Sequence, residues 1–229
     1  MSRLIGLKPA GSTLDMAILG CSIGAEIYSV LATIRRARPD LQVKMWAVDN
    51  SPEVLMVARK ATYTNEVSRL VGSSIFERVT EQEFEQVFEG DDKLARVKPW
   101  LREGISWHLG DASDPDLVRI TGLQDIVVAS NFLCHMKPVD AEACLRGLGH
   151  IVKPGGYLFV TGVDLDIRAK VASELGWRPV LDLLEDIHEG DPAVRQGWPC
   201  NWWGLEPLDK SRADWTLRYA SAFRLNEDG

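Results

Sequence analysis

The sequence predicts an α/β protein built on a seven-stranded, mostly parallel sheet with helices on both faces and an antiparallel last strand. Five short apolar runs rich in β-branched residues alternate with stretches of helical period. Strands and helices that alternate along a chain require crossover connections, which make the strands parallel and cover both faces of the sheet. Two further runs, at 179–183 and 215–225, bring the expected number of strands to seven.

The first half of this alternation is predicted to begin at residue 17. Residues 17–20 form the first strand candidate, which ends in a glycine-containing turn at 20–24. From Ile27 the apolar residues recur at i, i+3, i+4 and i+7, which predicts a helix with one buried face. Residues 43–48 are the second strand, and Ser51-Pro52 supplies the N-cap and first position of the next helix.

The second half resumes after a less regular stretch at 64–104. Within that stretch, Thr80 and Glu83 have the spacing of a capping box, which starts a short helix before a turn at 90–92. Residues 153–156 are predicted as a turn that feeds the fifth strand. The remaining predicted elements are strands at 105–109, 125–129 and 157–161 and helices at 138–152 and 166–175.

Composition restricts the kind of protein this can be. With 45% hydrophobic and 26% charged residues among 229, the chain can build a full core, and we expect one domain over 1–229. A net charge of −7 argues against nucleic acid and anionic lipid as partners. The sequence has no apolar run of bilayer length, no secretory signal and no CxxC pair among its four cysteines. We therefore expect a cytoplasmic protein with reduced thiols.

Polar residues and glycines follow the predicted strands at the points where each strand ends. Gly20 and Gly24 follow the first strand, Asp49 the second, Asp111 the third and Asn131 the fourth. In a doubly wound sheet, ligands bind beyond the carboxyl ends of the strands. A carboxylate 25 positions after the glycine turn can accept the hydroxyls of a ribose. The arrangement predicts a nucleoside-binding site.

Several segments, taken in order, resemble a known family. They are Gly-Cys-Ser-Ile-Gly-Ala-Glu-Ile-Tyr-Ser at 20–29, Trp-Ala-Val-Asp-Asn-Ser at 46–51, Val-Ala-Arg-Lys-Ala-Thr-Tyr at 57–63, Leu-Arg at 101–102 with Ile-Ser-Trp-His at 105–108, and Lys-Pro-Gly-Gly-Tyr-Leu at 153–158. The set resembles the class I S-adenosylmethionine-dependent methyltransferases, which have a Rossmann-like sheet. Among these, it is most similar to the CheR-type chemotaxis-receptor methyltransferases.

The resemblance implies S-adenosylmethionine as the cofactor and assigns roles to particular residues. The 20–24 loop would lie under the methionine moiety, Asp49 would hold the ribose, Asp111 and Ala112 would flank the adenine, and Asn131 would lie beside the sulfonium. A cationic sulfonium tolerates nearby carboxylates, whereas the pyrophosphate of NAD calls for a middle glycine where this chain has Ser22. The expected cofactor-binding residues are Gly20, Cys21, Ser22, Gly24, Glu26, Asp49, Asn50, Asp111, Ala112 and Asn131.

The chain also departs from the family pattern. The family's Glu-Glu pair is Ala25-Glu26 here, and its tyrosine near the acceptor is His135. Because the first strand is predicted to begin by residue 17, we expect no counterpart of the helical N-terminal domain of receptor methyltransferases. We therefore expect an acceptor other than a chemoreceptor glutamate. His135 could act as a general base, because an imidazole with a pKa of about 6.5 accepts protons near neutrality; the alternative is a loop histidine bonded to backbone. No metal ligand spacing is present.

An aromatic segment at about 191–215 has two interpretations. Trp198, Trp202 and Trp203 lie close together in a stretch with little periodicity before the last predicted strand. The indoles could line and cover the acceptor site, since large rings supply contact area and exclude water. They could equally plug the end of the sheet or form the interface of a homodimer.

The sequence therefore predicts a methyltransferase that acts on a small molecule or a side chain, with oxygen as the expected acceptor atom. Two alternatives remain at this stage. One is transfer of another group of the same cofactor, such as aminocarboxypropyl, which the Ala25 position keeps open. The other is a non-catalytic module that binds the cofactor. The product, S-adenosylhomocysteine or methylthioadenosine, would separate these alternatives.

Overall fold

A computed structural model describes residues 2–64, 79–91, 93–190 and 200–226, with the side chains of residues 2, 3 and 202 outside the description. The chain divides into two compact units, Met1–Asp111 and Ala112–Gly229. The single domain expected over 1–229 stays a prediction. Trp198, which was expected to contact the acceptor, lies outside the described residues.

The first unit carries three strands of the main sheet and a smaller sheet of its own. Its helices are α1 (Ser2–Ile5), α2 (Ala25–Ala37), α3 (Pro52–Lys60) and α4 (Glu81–Val87). Its strands are β1 (Thr13–Leu19), β2 (Gln42–Asp49), β3 (Thr62–Thr64), β4 (Phe88–Asp91), β5 (Leu94–Val97) and β6 (Ile105–Leu109).

The main-sheet strands of this unit lie in the order β6-β2-β1 and are all parallel. Leu19 pairs with Val48, and Asp49 pairs with Leu109, so the three strands end at the same edge. Strand β1 begins at Thr13 rather than at 17, because its inward residues include Leu14 while the outward Asp15 interrupts the apolar run. Parallel pairing thus brings the predicted strand-end residues of the first unit together.

Local capping signals account for two of the helices in the first unit. The Ser51 side chain accepts a hydrogen bond from the Val54 amide at 3.4 Å, with Pro52 at the first helical position of α3. At α4, the Thr80 amide donates to the Glu83 carboxylate at 2.9 Å, and the Glu83 amide donates to the Thr80 hydroxyl at 3.2 Å. Both predicted helix starts are confirmed, because each depends on residues adjacent in the chain.

The smaller sheet is an addition that the sequence pattern did not predict. Its strands lie in the order β3-β5-β4 and are antiparallel. Gly90, predicted within a turn, lies in β4 at φ +102°, where a Cβ would be 2.2 Å from the Leu94 carbonyl oxygen. Strands of only three or four residues give too little alternation to be recognised in a sequence.

The second unit carries the remaining strands of the main sheet in the order β7-β8-β10-β9. Its helices are α5 (Leu117–Thr121), α6 (Pro138–Gly149), α7 (Leu165–Glu174), α8 (Leu184–Glu189) and α9 (Trp215–Tyr219). Its strands are β7 (Gln124–Ser130), β8 (Val152–Thr161), β9 (Arg178–Pro179) and β10 (Ala222–Arg224).

The predicted sheet is confirmed: seven strands, mostly parallel, with the last strand antiparallel. Strand β7 is parallel to β8, whereas β10 is antiparallel to both β8 and β9. Buried apolar side chains such as Val127, Leu158 and Phe223 form the core of this unit.

Three predicted boundaries in the second unit were wrong. Residues 153–156, predicted as a turn, lie inside β8, where the register shifts opposite Gln124 and Ile126. The strand expected at 179–183 reduces to Arg178–Pro179, since Leu183 adopts a left-handed conformation at φ +60°. The strand expected at 215–225 begins as helix α9. The side chains of Arg218 and Tyr219 are both buried, and both donate hydrogen bonds to Glu206, which the helix makes possible. Only the end of the expected strand, β10, is extended.

Candidate active site

The turn after β1, residues 20–24, is held in an unusual backbone conformation that we call the glycine loop. Gly20, Ser22 and Gly24 all have positive φ, at 67°, 49° and 83°. The Cys21 amide donates to the Val48 carbonyl at 3.0 Å, and the Gly24 amide donates to the Cys21 carbonyl at 2.9 Å. A non-glycine residue such as Ser22 in the left-handed region is uncommon and is found most often at functional sites.

Asp49, at the end of β2, fastens this loop through its carboxylate. Oxygen Oδ2 accepts the Ser22 amide at 2.7 Å, and Oδ1 accepts the Ser51 amide at 3.0 Å. The residue is half-buried, and each carboxylate oxygen retains capacity for a further donor. Asp49 therefore both shapes the glycine loop and presents acceptor positions to hydroxyl groups.

Two buried tyrosines lie next to the glycine loop, and one of them is hydrogen-bonded to it. The Tyr63 hydroxyl donates to the Ile23 carbonyl at 2.8 Å, and the Tyr28 hydroxyl donates to the Ala58 carbonyl at 2.6 Å. Burial raises the pKa of both phenols above the ordinary value, so they remain neutral donors. Sequence reasoning included these tyrosines in the motifs but assigned no role to either of them. Only the fold shows which carbonyl each hydroxyl reaches.

The thiol of Cys21 is a packing group rather than a nucleophile. Its side chain is buried in the glycine loop. Burial first, and the nearby Asp49 carboxylate second, raise the pKa of the thiol to about 12. The thiolate is therefore absent near neutral pH, and any contribution of Cys21 to ligand binding comes from its backbone. None of the four cysteines, all of which lie in described residues, forms a disulfide.

Three other predicted positions of the first unit surround the glycine loop or follow its neighbouring strand. Glu26 lies in the first turn of α2, and Asn50 is exposed directly after Asp49. The Gly110 amide donates to the Asp49 carbonyl at 3.0 Å, so the exposed Asp111 follows one residue beyond that contact. The structure thus groups every predicted cofactor residue of the first unit at one edge of its sheet.

In the second unit, Asn131 occupies a constrained position directly after β7. It has φ +57°, its amide donates to the Thr161 carbonyl at 3.0 Å, and its Oδ1 accepts the Thr161 hydroxyl at 3.4 Å. A Cβ on the neighbouring Gly162 would lie 2.5 Å from the Asn131 Cα. Gly162 is therefore required for this arrangement, a constraint that the sequence analysis did not identify. Ala112, the other predicted residue here, is the first of the unit.

His135 and Trp203 form the aromatic part of the second unit's site. His135 is exposed and ends a short 3-10 turn, Leu133–His135, that follows Asn131. The Trp203 ring meets the imidazole edge-on, with centroids 5.1 Å apart and planes at 88°. The structure therefore brings together a candidate base and one of the three tryptophans that the sequence singled out. Nothing further is described for Trp202 beyond its backbone in the turn Asn201–Trp203.

A family model described as "CheR methyltransferase, SAM binding domain" matches residues 3–166 of the chain. The chain belongs to this family. The match covers both the glycine loop with Asp49 and the segment that carries Asn131 and His135. The predicted class I methyltransferase and its predicted cofactor, S-adenosylmethionine, are confirmed at the level of the family.

Two curated relatives are similar in sequence. A Pseudomonas putida KT2440 protein, "Probable biofilm formation methyltransferase WspC", is 27% identical over 198 residues, which is 84% of this chain and 43% of that protein. An "Uncharacterized 104.1 kDa protein in hypE 3'region" of Rhodobacter capsulatus is 26% identical over 172 residues, 73% of this chain and 17% of that protein. This CheR-family chain thus spans less than half the length of either relative.

Solved structures of methyltransferases are also similar. One is magnesium protoporphyrin IX methyltransferase (ChlM) of Synechocystis PCC 6803 with bound SAM, at TM-score 0.44 and 13% identity over 78% of this chain and 66% of that chain. Another is the N-methyltransferase NodS of Bradyrhizobium japonicum WM9 with S-adenosylhomocysteine, at TM-score 0.42 and 14% identity over 78% and 71%.

The residues of the first unit fit the chemistry of the family's cofactor. The half-buried Asp49 carboxylate suits ribose hydroxyls, because its oxygens accept only one backbone amide each. Helix α2, which begins after the glycine loop, has no side-chain cap at Gly24, so its positive end can face the cofactor's carboxylate. In this CheR-family chain, the Asp49 carboxylate could thus accept hydrogen bonds from a nucleoside, and the N-terminus of α2 could donate to the carboxylate of its zwitterionic tail.

Two other features that would indicate a site are absent from the described residues. No group of three or more His, Cys, Asp or Glu side chains there could hold a metal ion. Across the same parts of the chain, no helix has both the length and the apolarity to cross a membrane.

Proposed function

We propose that the chain transfers the methyl group of S-adenosylmethionine to an oxygen of a small molecule or a protein side chain, with the acceptor bound beside His135 and Trp203. The observation that carries this proposal is the edge-on contact of the two rings at 5.1 Å. An exposed imidazole next to a half-buried indole supplies a proton acceptor and an apolar wall at one place.

Each residue has a defined part in this reaction. When bound, S-adenosylmethionine would supply the methyl group from its sulfonium to the acceptor oxygen and would remain as S-adenosylhomocysteine. Asp49 and the glycine loop hold the nucleoside and methionine portions. His135 takes the proton that the acceptor hydroxyl loses, and Trp203 orients the acceptor and excludes water.

Turnover with defined acceptors tests the reaction class. The chain is incubated with S-adenosylmethionine and panels of phenols, catechols, carboxylic acids and hydroxyl-bearing peptides, and the products are identified by mass spectrometry. We expect S-adenosylhomocysteine together with an O-methylated acceptor. Methylthioadenosine as the product would indicate aminocarboxypropyl transfer, and binding of the cofactor without turnover of any acceptor would indicate a non-catalytic module; either result overturns the proposal.

Variants of the aromatic residues test where the acceptor binds. Replacing His135 by Asn should lower turnover at least about a hundredfold, the usual contribution of a general base, while leaving cofactor affinity intact. Replacing Trp202 and Trp203 by Ala should impair acceptor use and also spare the cofactor. If the double variant instead converts a dimer into a monomer with full turnover, the aromatic segment is a homodimer interface.

A further inference from the structure

A short hairpin holds Trp203 in place, and we call residues 200–205 the Trp203 hairpin. The Cys200 amide donates to the Leu205 carbonyl at 2.6 Å, and the Leu205 amide donates back to the Cys200 carbonyl at 3.1 Å. Between them, the turn Asn201–Trp203 ends at Gly204, which has φ +78°. A closed loop of this size moves as a unit, so the position of Trp203 depends on what fixes the hairpin ends.

Glu206 directly follows the hairpin and is its principal side-chain attachment. Arg218 donates to both carboxylate oxygens, from Nε to Oε1 at 2.5 Å and from Nη2 to Oε2 at 3.0 Å. The Tyr219 hydroxyl also donates to Oε1, at 2.8 Å, and the Glu206 carbonyl lies 2.8 Å from Nε2 of His188. Arg218 is only 4% exposed, and it also donates to Asp166 at 2.5 Å. The attachment is therefore bidentate and largely shielded from water.

A second buried guanidinium makes the charge of Glu206 more important. Arg168 is 3% exposed; among the residues that the structure describes, its Nε has no hydrogen-bond partner, and its Nη1 donates to the Val160 carbonyl at 3.5 Å. Burial, and then the charge of Arg218, lower the pKa of Arg168 to about 10, while Glu206 is one of the groups that oppose this. Neutralising Glu206 would leave two buried cations with the exposed Asp166 as the remaining direct partner of Arg218.

Gly204 of the hairpin also lies close to Arg168. A Cβ placed on Gly204 would lie 3.2 Å from the Val163 carbonyl oxygen and 3.8 Å from Arg168 Nη2. Repulsion between the two guanidiniums would therefore act immediately beneath the turn that presents Trp203. Only two residues, Gly204 and Leu205, separate Trp203 from Glu206 in the chain, and both belong to the closed hairpin.

We propose that Glu206 is a positioning residue for the acceptor: by pairing with Arg218 beneath the hairpin, it holds Trp203 edge-on against His135. The proposal rests on the proposed function, because it assumes that these two rings contact the acceptor. Glu206 itself touches neither the acceptor nor the cofactor. Its influence on the reaction passes through the indole.

The test observes the ring contact directly and needs no acceptor. In the full chain, imidazole signals labelled with ¹³C are recorded, and that of His135 is assigned with His135→Asn. Because the indole ring current acts on the imidazole, Trp203→Ala defines the shift for a lost contact. We expect Glu206→Gln to move the His135 signal toward that value. The matched control, Glu185→Gln, removes an exposed pair with Lys210 at 2.6 Å and should leave the signal at the wild-type position.

Steady-state kinetics, measured with a hydroxyl compound that the protein methylates, then distinguishes a positioning role of Glu206 from a general loss of activity. We expect Glu206→Gln to raise the acceptor KM about tenfold, with S-adenosylhomocysteine affinity by calorimetry unchanged. The effect should be absent when Trp203→Ala is already present, since both changes act through the same ring. An unmoved His135 signal in Glu206→Gln overturns the inference. If the His135 signal moves in Glu206→Gln but Trp203→Ala has no effect on the kinetics, the proposed acceptor site is wrong. The role of Glu206 in positioning Trp203 would still hold.

Discussion

The glycine loop and the Trp203 hairpin are both tight turns, but they are stabilised by different forces. The glycine loop is fixed by backbone hydrogen bonds, the Asp49 carboxylate and the buried hydroxyl of Tyr63. The hairpin is fixed by an ion pair between Glu206 and the buried Arg218, next to a second buried cation. The comparison indicates that the glycine loop is held through hydrogen bonds to its own backbone, whereas the hairpin is attached to the rest of its unit by a shielded ion pair.

The largest expected effect is on cofactor binding at Asp49. Replacing it by Ala removes the proposed acceptor of the ribose hydroxyls and also the bond to the Ser22 amide. Hydrogen bonds to a charged group contribute about 1.5–3 kcal/mol each, so affinity for S-adenosylmethionine should fall at least about a hundredfold. Calorimetry measures this affinity. We expect the affinity of Asp49→Asn to lie between those of wild type and Asp49→Ala, because one side-chain carbonyl oxygen remains. Equal affinity of a folded Ala variant and wild type would contradict the role.

The backbone dependence of the glycine loop predicts a large effect at Gly24. A Cβ there would lie 2.9 Å from that of Ala58, and the residue has φ +83°. Strain and overpacking together should cost about 2–4 kcal/mol in free energy of unfolding for Gly24→Ala. The control is Gly147→Ala in helix α6, where a Cβ meets nothing within 4 Å and should stabilise by about 0.5–1 kcal/mol. Similar urea midpoints for the two variants would refute the assignment.

The tyrosines sharpen the comparison within the first unit. Tyr63→Phe removes the hydroxyl that donates to the Ile23 carbonyl, and Tyr28→Phe removes the one that donates to the Ala58 carbonyl, which still accepts the Ala61 amide at 3.1 Å. Each should cost about 0.5–1.5 kcal/mol of stability, because each removes one hydrogen bond. Only Tyr63→Phe should also weaken S-adenosylmethionine binding, since Ile23 belongs to the glycine loop. A loss of affinity in Tyr28→Phe as large as in Tyr63→Phe would show that the effect is global.

The smallest expected effect is the acid response of the hairpin attachment. The hydrogen bonds from Arg218 lower the pKa of Glu206 below its ordinary value. A carboxyl whose folded pKa is depressed contributes stability above its unfolded value, about 4.3, and loses it as the pH falls through the folded pKa. The stability of wild type in urea should therefore fall more steeply than that of Glu206→Gln as the pH is lowered below about 5. Parallel profiles would show that the pair adds nothing to stability.

The fold was largely predictable because its signals are local. Capping residues at Ser51 and Thr80 and the alternation of strands and helices depend on neighbours in the chain, and these predictions were confirmed. The errors fell where tertiary contacts override local preference. Arg218 and Tyr219 look like part of a strand, yet they form a helix whose side chains meet Glu206.

The proposed nucleoside-binding residues could be predicted from the sequence, because a glycine turn and an aspartate that follow neighbouring parallel strands must meet at the same edge of the sheet. The proposed acceptor site could be found only from the folded structure. It brought Trp203 against His135 and placed Glu206 on Arg218, twelve positions along the chain. Such contacts depend on where irregular turns carry their side chains, and no period in the sequence records that. Helix caps and strand periods depend on residues close together in the chain, whereas a buried ion pair forms only when the chain folds.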